Sequence, residues 1–269
     1  MNSVTPHSPI GVFDSGIGGL TVANAIVQFL PEEEIIYFGD TAHLPYGDKS
    51  ADAIRYYSLR ISKFLLEQQC KMIVVACNSA SSAAYHVLVD FFKGQTLFVN
   101  VVDPLVEEVA SKRYRKVGII ATKATVQSGM YERQLRSLQP DLEIASLATP
   151  LLAPMIEEGY VHNEISQAVL QSYLSHPSLQ DIDALLLACT HYPLIRPEIE
   201  NFFGKKVQVY DSTDVVARAV KERLASKNLL NQHKQHSHRF FVSDYTASFE
   251  HTTRLFYREE IALEHCNIW

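Results

Sequence analysis

Two short apolar runs stand out in the hydropathy pattern. Residues 72–76 (MIVVA) are uninterrupted and apolar, meet Cys77 and Asn78, and pass into Ala80, Ala83, Ala84, Val87, Leu88 and Phe91 at helical spacing. Residues 184–188 (ALLLA) repeat the pattern and deliver Cys189 where the first run delivers Cys77. Runs of this kind belong to strands buried on both faces of a parallel sheet. Open α/β sheets bind ligands just beyond the carboxyl ends of such strands. Both cysteines therefore fall where a ligand is expected.

The rest of the chain keeps the same grammar. Residues 9–13 read as a strand ending in Asp14-Ser15-Gly16-Ile17-Gly18-Gly19, before a helix through Leu20, Ala23, Val27 and Leu30. Residues 34–38 read as a strand followed by a Pro- and Gly-punctuated loop over 39–48, and Ser50 as the N-cap of a long helix. Further strands are expected at 95–102, ending at Asp103-Pro104, and at 116–121, 143–148, 183–188, 207–210 and 239–243. Helices are expected at 165–174, from Thr213 to about residue 225, and at 249–256. Residues 226–238 read as a polar loop, in which His233, His236 and His238 form a solvated cluster rather than a metal site. Gly11 and Gly118, Asp103 and Asp211, and the two cysteines recur 107 to 112 positions apart. A weak internal duplication with a period near one small α/β domain accounts for this.

Composition narrows the class. The 269 residues are 47% hydrophobic and 20% charged, enough for a sizeable core, and the net charge of −6 gives no basic footprint for nucleic acid or an anionic membrane. No signal peptide or membrane-spanning run is visible, so a cytoplasmic location is expected. Cys70, Cys77, Cys189 and Cys266 lack metal-ligand spacing, which argues against a disulfide frame or structural zinc. Cys70 reads as a small buried hydrophobe. The turn at residues 14–19 is not GxGxxG, and no GK[ST] follows, so a nucleotide fingerprint is not met.

The chemistry follows from the paired cysteines. A helix starting near Asn78, and another near Thr190, would aim free N–H groups at the space around each thiol, lowering its pKa and welcoming a carboxylate. His191 stands two residues after Cys189, close enough to hydrogen-bond the thiol, and Asp14 could play the matching part for Cys77. Two opposed thiols suit inversion of a tetrahedral carbon, one taking the proton and the other returning one from the opposite face. Three rivals differ in what they require: a racemase for aspartate or another acidic amino acid, a Cys-dependent amidase using Cys77 with His191 as base, and a carboxylate-binding module with merely buried cysteines.

The stretches IGVFDSGIGGLTV, YFGDTAHLPYG, VVACNSAS and LLLACTHYPL resemble the signature segments of bacterial glutamate racemases, in the family's order, across nearly the whole chain. The resemblance implies an α/β fold: two similar three-layer, Rossmann-like parallel-sheet domains related by a pseudo-twofold axis, with the active site between them. Residues 1–100 with 211–269 would carry Cys77, and residues 101–210 would carry Cys189. It implies cofactor-independent interconversion of L- and D-glutamate, supplying D-glutamate for peptidoglycan. It needs neither nucleic acid nor membrane, and a homodimer is among the expected states. By motif match, Cys77 takes the proton from D-glutamate and Cys189 from L-glutamate. Asp14 assists Cys77 and contacts the substrate amine, while His191 and Glu157 assist Cys189, with Glu158 as the fallback for Glu157. Ser15, Pro45, Tyr46, Gly47, Asn78, Ser79, Thr122, Thr125, Thr190 and His191 match substrate-contacting positions. Ser79 and His43 stand where the family commonly has threonine and frequently arginine.

Overall fold

The computed structural model describes residues 4–233 and 237–269. Its strands are β1 (Ile10–Asp14), β2 (Ile35–Gly39), β3 (Met72–Val75), β4 (Leu97–Asn100), β5 (Lys116–Ala121), β6 (Glu143–Ala148), β7 (Ala184–Ala188), β8 (Gln208–Tyr210), β9 (Arg239–Val242) and β10 (Leu263–His265). They form a six-stranded sheet in the order β10-β9-β2-β1-β3-β4 and a four-stranded sheet in the order β6-β5-β7-β8. Every pairing is parallel. The order β2-β1-β3-β4 in the first sheet is matched strand for strand by β6-β5-β7-β8 in the second, so β1 corresponds to β5 and β3 to β7. The central strands β1, β3, β5 and β7 carry apolar side chains on both faces and are almost wholly buried, as parallel strands with helices above and below must be.

The helices are α1 (Leu20–Phe29), α2 (Ala51–Glu67), α3 (Asn78–Phe91), α4 (Val102–Ala110), α5 (Lys123–Ser128), α6 (Met130–Leu138), α7 (Leu152–Glu157), α8 (Glu164–Leu174), α9 (Arg196–Phe203), α10 (Thr213–Ala225) and α11 (Ala247–Phe256). Their starts are chemically marked. The Ser50 hydroxyl caps α2 by accepting from the Ala53 N–H, and Thr122 caps α5 through the Thr125 N–H. Asn163 and Ser166 form a capping box on α8. Gly129, at φ +62°, breaks α5 from α6 in a backbone region that side chains disfavour. No helix of the described residues is long and apolar enough to cross a membrane.

Three departures from the sequence pattern have local causes. The expected strand at 95–102 stops at Asn100, because the Asn100 Oδ1 accepts from the N–H groups of Val102 and Asp103 and turns the chain into α4. The helix expected to start at Thr190 is absent there. A 3-10 turn at Tyr192–Ile195 comes first, with Pro193 near its start, and α9 begins only at Arg196. The chain after β9 also supplies an extra three-residue strand, β10, at the sheet edge. Of the histidine cluster, His236 lies outside the described residues, while His238 is no free side chain, since its Nδ1 accepts from the Ile35 N–H at 3.1 Å. Cys70 is fully buried, as a small hydrophobe should be, and all four cysteines are free.

The two sheets share one apolar core. Leu20 and Val22 of α1, Val106 of α4, Leu187 of β7 and Val216 of α10 belong to a single cluster, which fixes how the strand ends of the two halves face each other. Polar bridges add to this: the Thr21 hydroxyl donates to the Thr190 carbonyl at 2.9 Å, and the Ser79 and Thr122 hydroxyls stand 2.9 Å apart.

Candidate active site

In a doubly wound sheet the crevice lies where neighbouring strands send their connections in opposite directions. Here those pairs are β1/β3 and β5/β7, and their carboxyl ends present Asp14, Cys77, Thr122 and Cys189. Between them lies a cavity of about 260 Å³ with both cysteines on its wall. That is room for a small amino acid.

Cys77 ends the β3 run and caps α3, its Sγ accepting from the Ala80 N–H at 3.4 Å and donating to the Ser15 hydroxyl at 3.6 Å. Burial raises the thiol's pKa first, the negative charge of Asp14 second, and the value reaches about 12. The thiol is therefore an acid in reserve at neutral pH. Asp14 is fully buried; its Oδ2 accepts from the N–H groups of Gly16 (3.3 Å) and Gly19 (3.0 Å), whereas Oδ1 is buried without a partner. Burial pushes its pKa up against the opposing pull of His191 and those N–H groups. The glycine-rich turn is thus folded around the Asp14 carboxylate rather than open to a phosphate. Tyr37 pins the turn from behind by donating to the Gly16 carbonyl at 2.8 Å.

One consequence is measurable. Asp14→Asn keeps an oxygen for the two glycine N–H groups but removes the negative charge, so the Cys77 pKa falls below about 12 while burial keeps it above the ordinary thiol value. More thiolate is then present at a fixed, mildly alkaline pH. Iodoacetamide labelling of Cys77, mapped by mass spectrometry, should run faster in the variant. An unchanged rate would mean that burial alone sets the thiol.

On the opposite wall, Cys189 leaves β7 into a tight turn closed by the Tyr192 N–H donating to the Cys189 carbonyl. His191 Nδ1 lies 3.7 Å from the Cys189 sulfur, and its Nε2 lies 2.8 Å from the Glu157 carboxylate. Burial alone would lower the imidazole's pKa, but Cys189 and Glu157 together overcome it and hold the pKa well above the usual value. A charged imidazolium donates from both nitrogens, one toward the sulfur and one toward the carboxylate. The ring packs against Phe256 and onto Gly18, where a Cβ would stand 2.3 Å from the imidazole. Gly18 therefore exists to admit His191.

Hydroxyl groups cluster at one part of the remaining wall. Ser79, Thr122 and Thr125 form a hydroxyl triangle at 2.9, 3.4 and 3.1 Å. The Pro45-Tyr46-Gly47 loop lines the cavity, and Gly47 sits against Thr122. Tyr46 is buried and donates to the Asp40 carboxylate at 2.6 Å, which also receives Ser243 at 2.7 Å and His43 at 2.9 Å.

Of the residues singled out from the sequence, Ser15, Pro45, Tyr46, Gly47, Cys77, Asn78, Ser79, Thr122, Glu157, Cys189, Thr190 and His191 all line this cavity. Asp14 and Thr125 stand just behind the wall, hydrogen-bonded to its members Gly16 and Ser79. Glu157, not Glu158, reaches His191. Leu44, Ala153 and Pro154 of the wall were not anticipated, nor were the buried supports Asp40, Tyr37 and Tyr131. Among the described residues no cluster of side chains could hold a metal ion.

The geometry has close counterparts. The Asp/Glu/Hydantoin racemase family model matches residues 10–220. A glutamate racemase of Geobacter metallireducens is 41% identical over 249 residues, covering 91% of this chain and 90% of that protein. The structure of a Francisella tularensis glutamate racemase in complex with D-glutamate superposes with a TM-score of 0.92 at 36% identity, covering 98% of both chains. A Thermus thermophilus glutamate racemase in complex with beta-chloro-D-alanine gives 0.88 at 38% identity, again covering 98% of both. With two strand-end cysteines on one cavity and this likeness along nearly its whole length, the chain belongs to the glutamate racemases within the Asp/Glu/hydantoin racemase family.

Proposed function

We propose that this chain interconverts L- and D-glutamate, with Cys77 and Cys189 working from opposite walls of the cavity and no cofactor taking part. The observation that carries the reading is the pair of thiols at matching strand ends on one cavity. From L-glutamate, the Cys189 thiolate, paired with His191, removes the α-proton. The Cys77 thiol then delivers its own proton to the opposite face, and the roles reverse for D-glutamate. Asp14 stands beside Cys77 just behind the wall, where its negative charge is suited to drawing the substrate ammonium to that side and to the proton traffic of that thiol. Asn78, Ser79, Thr122, Thr190, Ser15 and the backbone N–H groups of Tyr46 and Gly47 supply donors for the two carboxylates, with Thr125 orienting the Ser79 and Thr122 hydroxyls from behind.

The α-proton of an amino acid is far less acidic than a thiol, so the carbanion must be stabilised by fixed donors in a site that keeps water out. The N–H groups at the start of α3 and the buried hydroxyls meet the first need, and a substrate filling the cavity would meet the second. The D-glutamate so formed serves peptidoglycan synthesis in the role the resemblance assigns. The amidase alternative is weaker, because its base His191 is paired with Cys189 and not with Cys77.

Circular dichroism of glutamate and aspartate incubated with the purified chain tests the substrate. The signal of either glutamate enantiomer should decay to zero while that of aspartate persists. Decay for aspartate alone would keep the mechanism and overturn the substrate.

A further inference from the structure

Asn78 opens α3, lines the cavity and is almost fully buried. Its Oδ1 accepts a 2.6 Å hydrogen bond from the Tyr131 hydroxyl, whereas its Nδ2 is buried without a partner. A buried amide that leaves its donors unmet is costly, and such a group is retained where a ligand supplies the acceptor. Tyr131 comes from α6, in the half of the molecule that carries Cys189, and is itself buried behind the wall rather than on it.

A primary amide has two nearly isosteric ends. Turned by half a revolution, Asn78 would offer an oxygen to an anionic ligand and repel it. We propose that Tyr131 is a positioning residue: by donating to Oδ1 it locks the Asn78 amide with Nδ2 free for a substrate carboxylate. The inference rests on the glutamate racemase reading above and extends it to a residue outside the cavity. Burial and the nearby Cys189 keep the phenol well above its ordinary pKa, so Tyr131 remains a donor throughout the working pH range. Because the bond joins α6 to α3, it also couples the orientation of Asn78 to the seating of one half on the other.

The test is a double-mutant cycle on glutamate KM and kcat with wild type, Tyr131→Phe, Asn78→Ala and the double variant. Tyr131→Phe should raise KM about tenfold in both directions, the loss expected for one misdirected hydrogen bond to a charged group, with kcat within about threefold of wild type. In the Asn78→Ala background the same change should leave KM unaltered. KM does not depend on the fraction of enzyme folded, so a partly destabilised variant still reports. Calorimetric titration with racemic glutamate repeats the comparison at equilibrium for any variant too slow to assay. An equal effect of Tyr131→Phe in both backgrounds, or none in either, overturns the positioning role while the racemase reading stands. A wild-type chain that does not racemise glutamate removes that reading, and the inference with it.

Discussion

Cys77→Ser and Cys189→Ser should each lower the rate of glutamate racemisation by about a thousandfold or more, within the range of 10²–10⁴ that positioned acid–base groups contribute and toward its upper end. A serine hydroxyl keeps the size of the site and a hydrogen-bonding oxygen. It is, however, a far weaker acid than a thiol, so at position 189 it cannot take up the base role proposed for Cys189, and at position 77 it donates poorly to a carbanion. Neither substitution opens a cavity, and both side chains sit where the apolar clusters meet the cavity at their strand ends, so the melting temperature should change little. Enzyme assays beside thermal melts check this. A variant retaining a third or more of wild-type activity would remove that cysteine from the reaction.

The second large effect concerns the Cys189 wall. His191→Asn removes the imidazolium that faces the sulfur at 3.7 Å, and kcat should fall by about a hundredfold. Glu157→Gln leaves an oxygen within reach of His191 Nε2 but removes its charge, and a loss of about tenfold is expected. The two enantiomers have equal free energy, so kcat/KM must fall by the same factor in both directions. Any bias toward one direction therefore has to appear in kcat and KM separately. Steady-state kinetics run from each enantiomer decide the matter, and a His191→Asn enzyme within threefold of wild type would leave the imidazole a spectator.

How much of this was legible in the sequence depends on how local the signal is. The strands β3 and β7 are uninterrupted apolar runs because both their faces are covered, and a strand that ends in a polar residue places that residue at the sheet edge. Cys77, Cys189 and Asp14 could be placed from that alone. The role of the Pro45-Tyr46-Gly47 loop could not, since by itself it is ordinary turn composition. Its rigidity comes from Asp40 binding Ser243, 203 positions away, and no local pattern records such a partner. Tyr131 was hidden for the same reason, its partner Asn78 lying 53 positions earlier. The helix expected at Thr190 failed on closer physics: Pro197 would fall in its interior, where it lacks an N–H and clashes with the preceding turn, so the chain makes a 3-10 turn and α9 begins afresh at Arg196 with Pro197 in its first turn. The asymmetry matters chemically, because the free N–H groups of a helix start serve the Cys77 side, while the Cys189 side relies on His191.

The claim at the centre is that two different groups handle the proton on the two faces of the α-carbon. Conversion of L-glutamate in D₂O, stopped after a small fraction has reacted and read by proton NMR at Cα, addresses it directly. Two thiols predict that the D-glutamate formed carries deuterium from its first turnovers, because the Cys77 proton has exchanged with solvent, while the remaining L-glutamate keeps its protium. Protium carried from substrate into product, or deuterium entering both enantiomers at the same rate from the start, would point to a single base serving both faces and would contradict the two-thiol account.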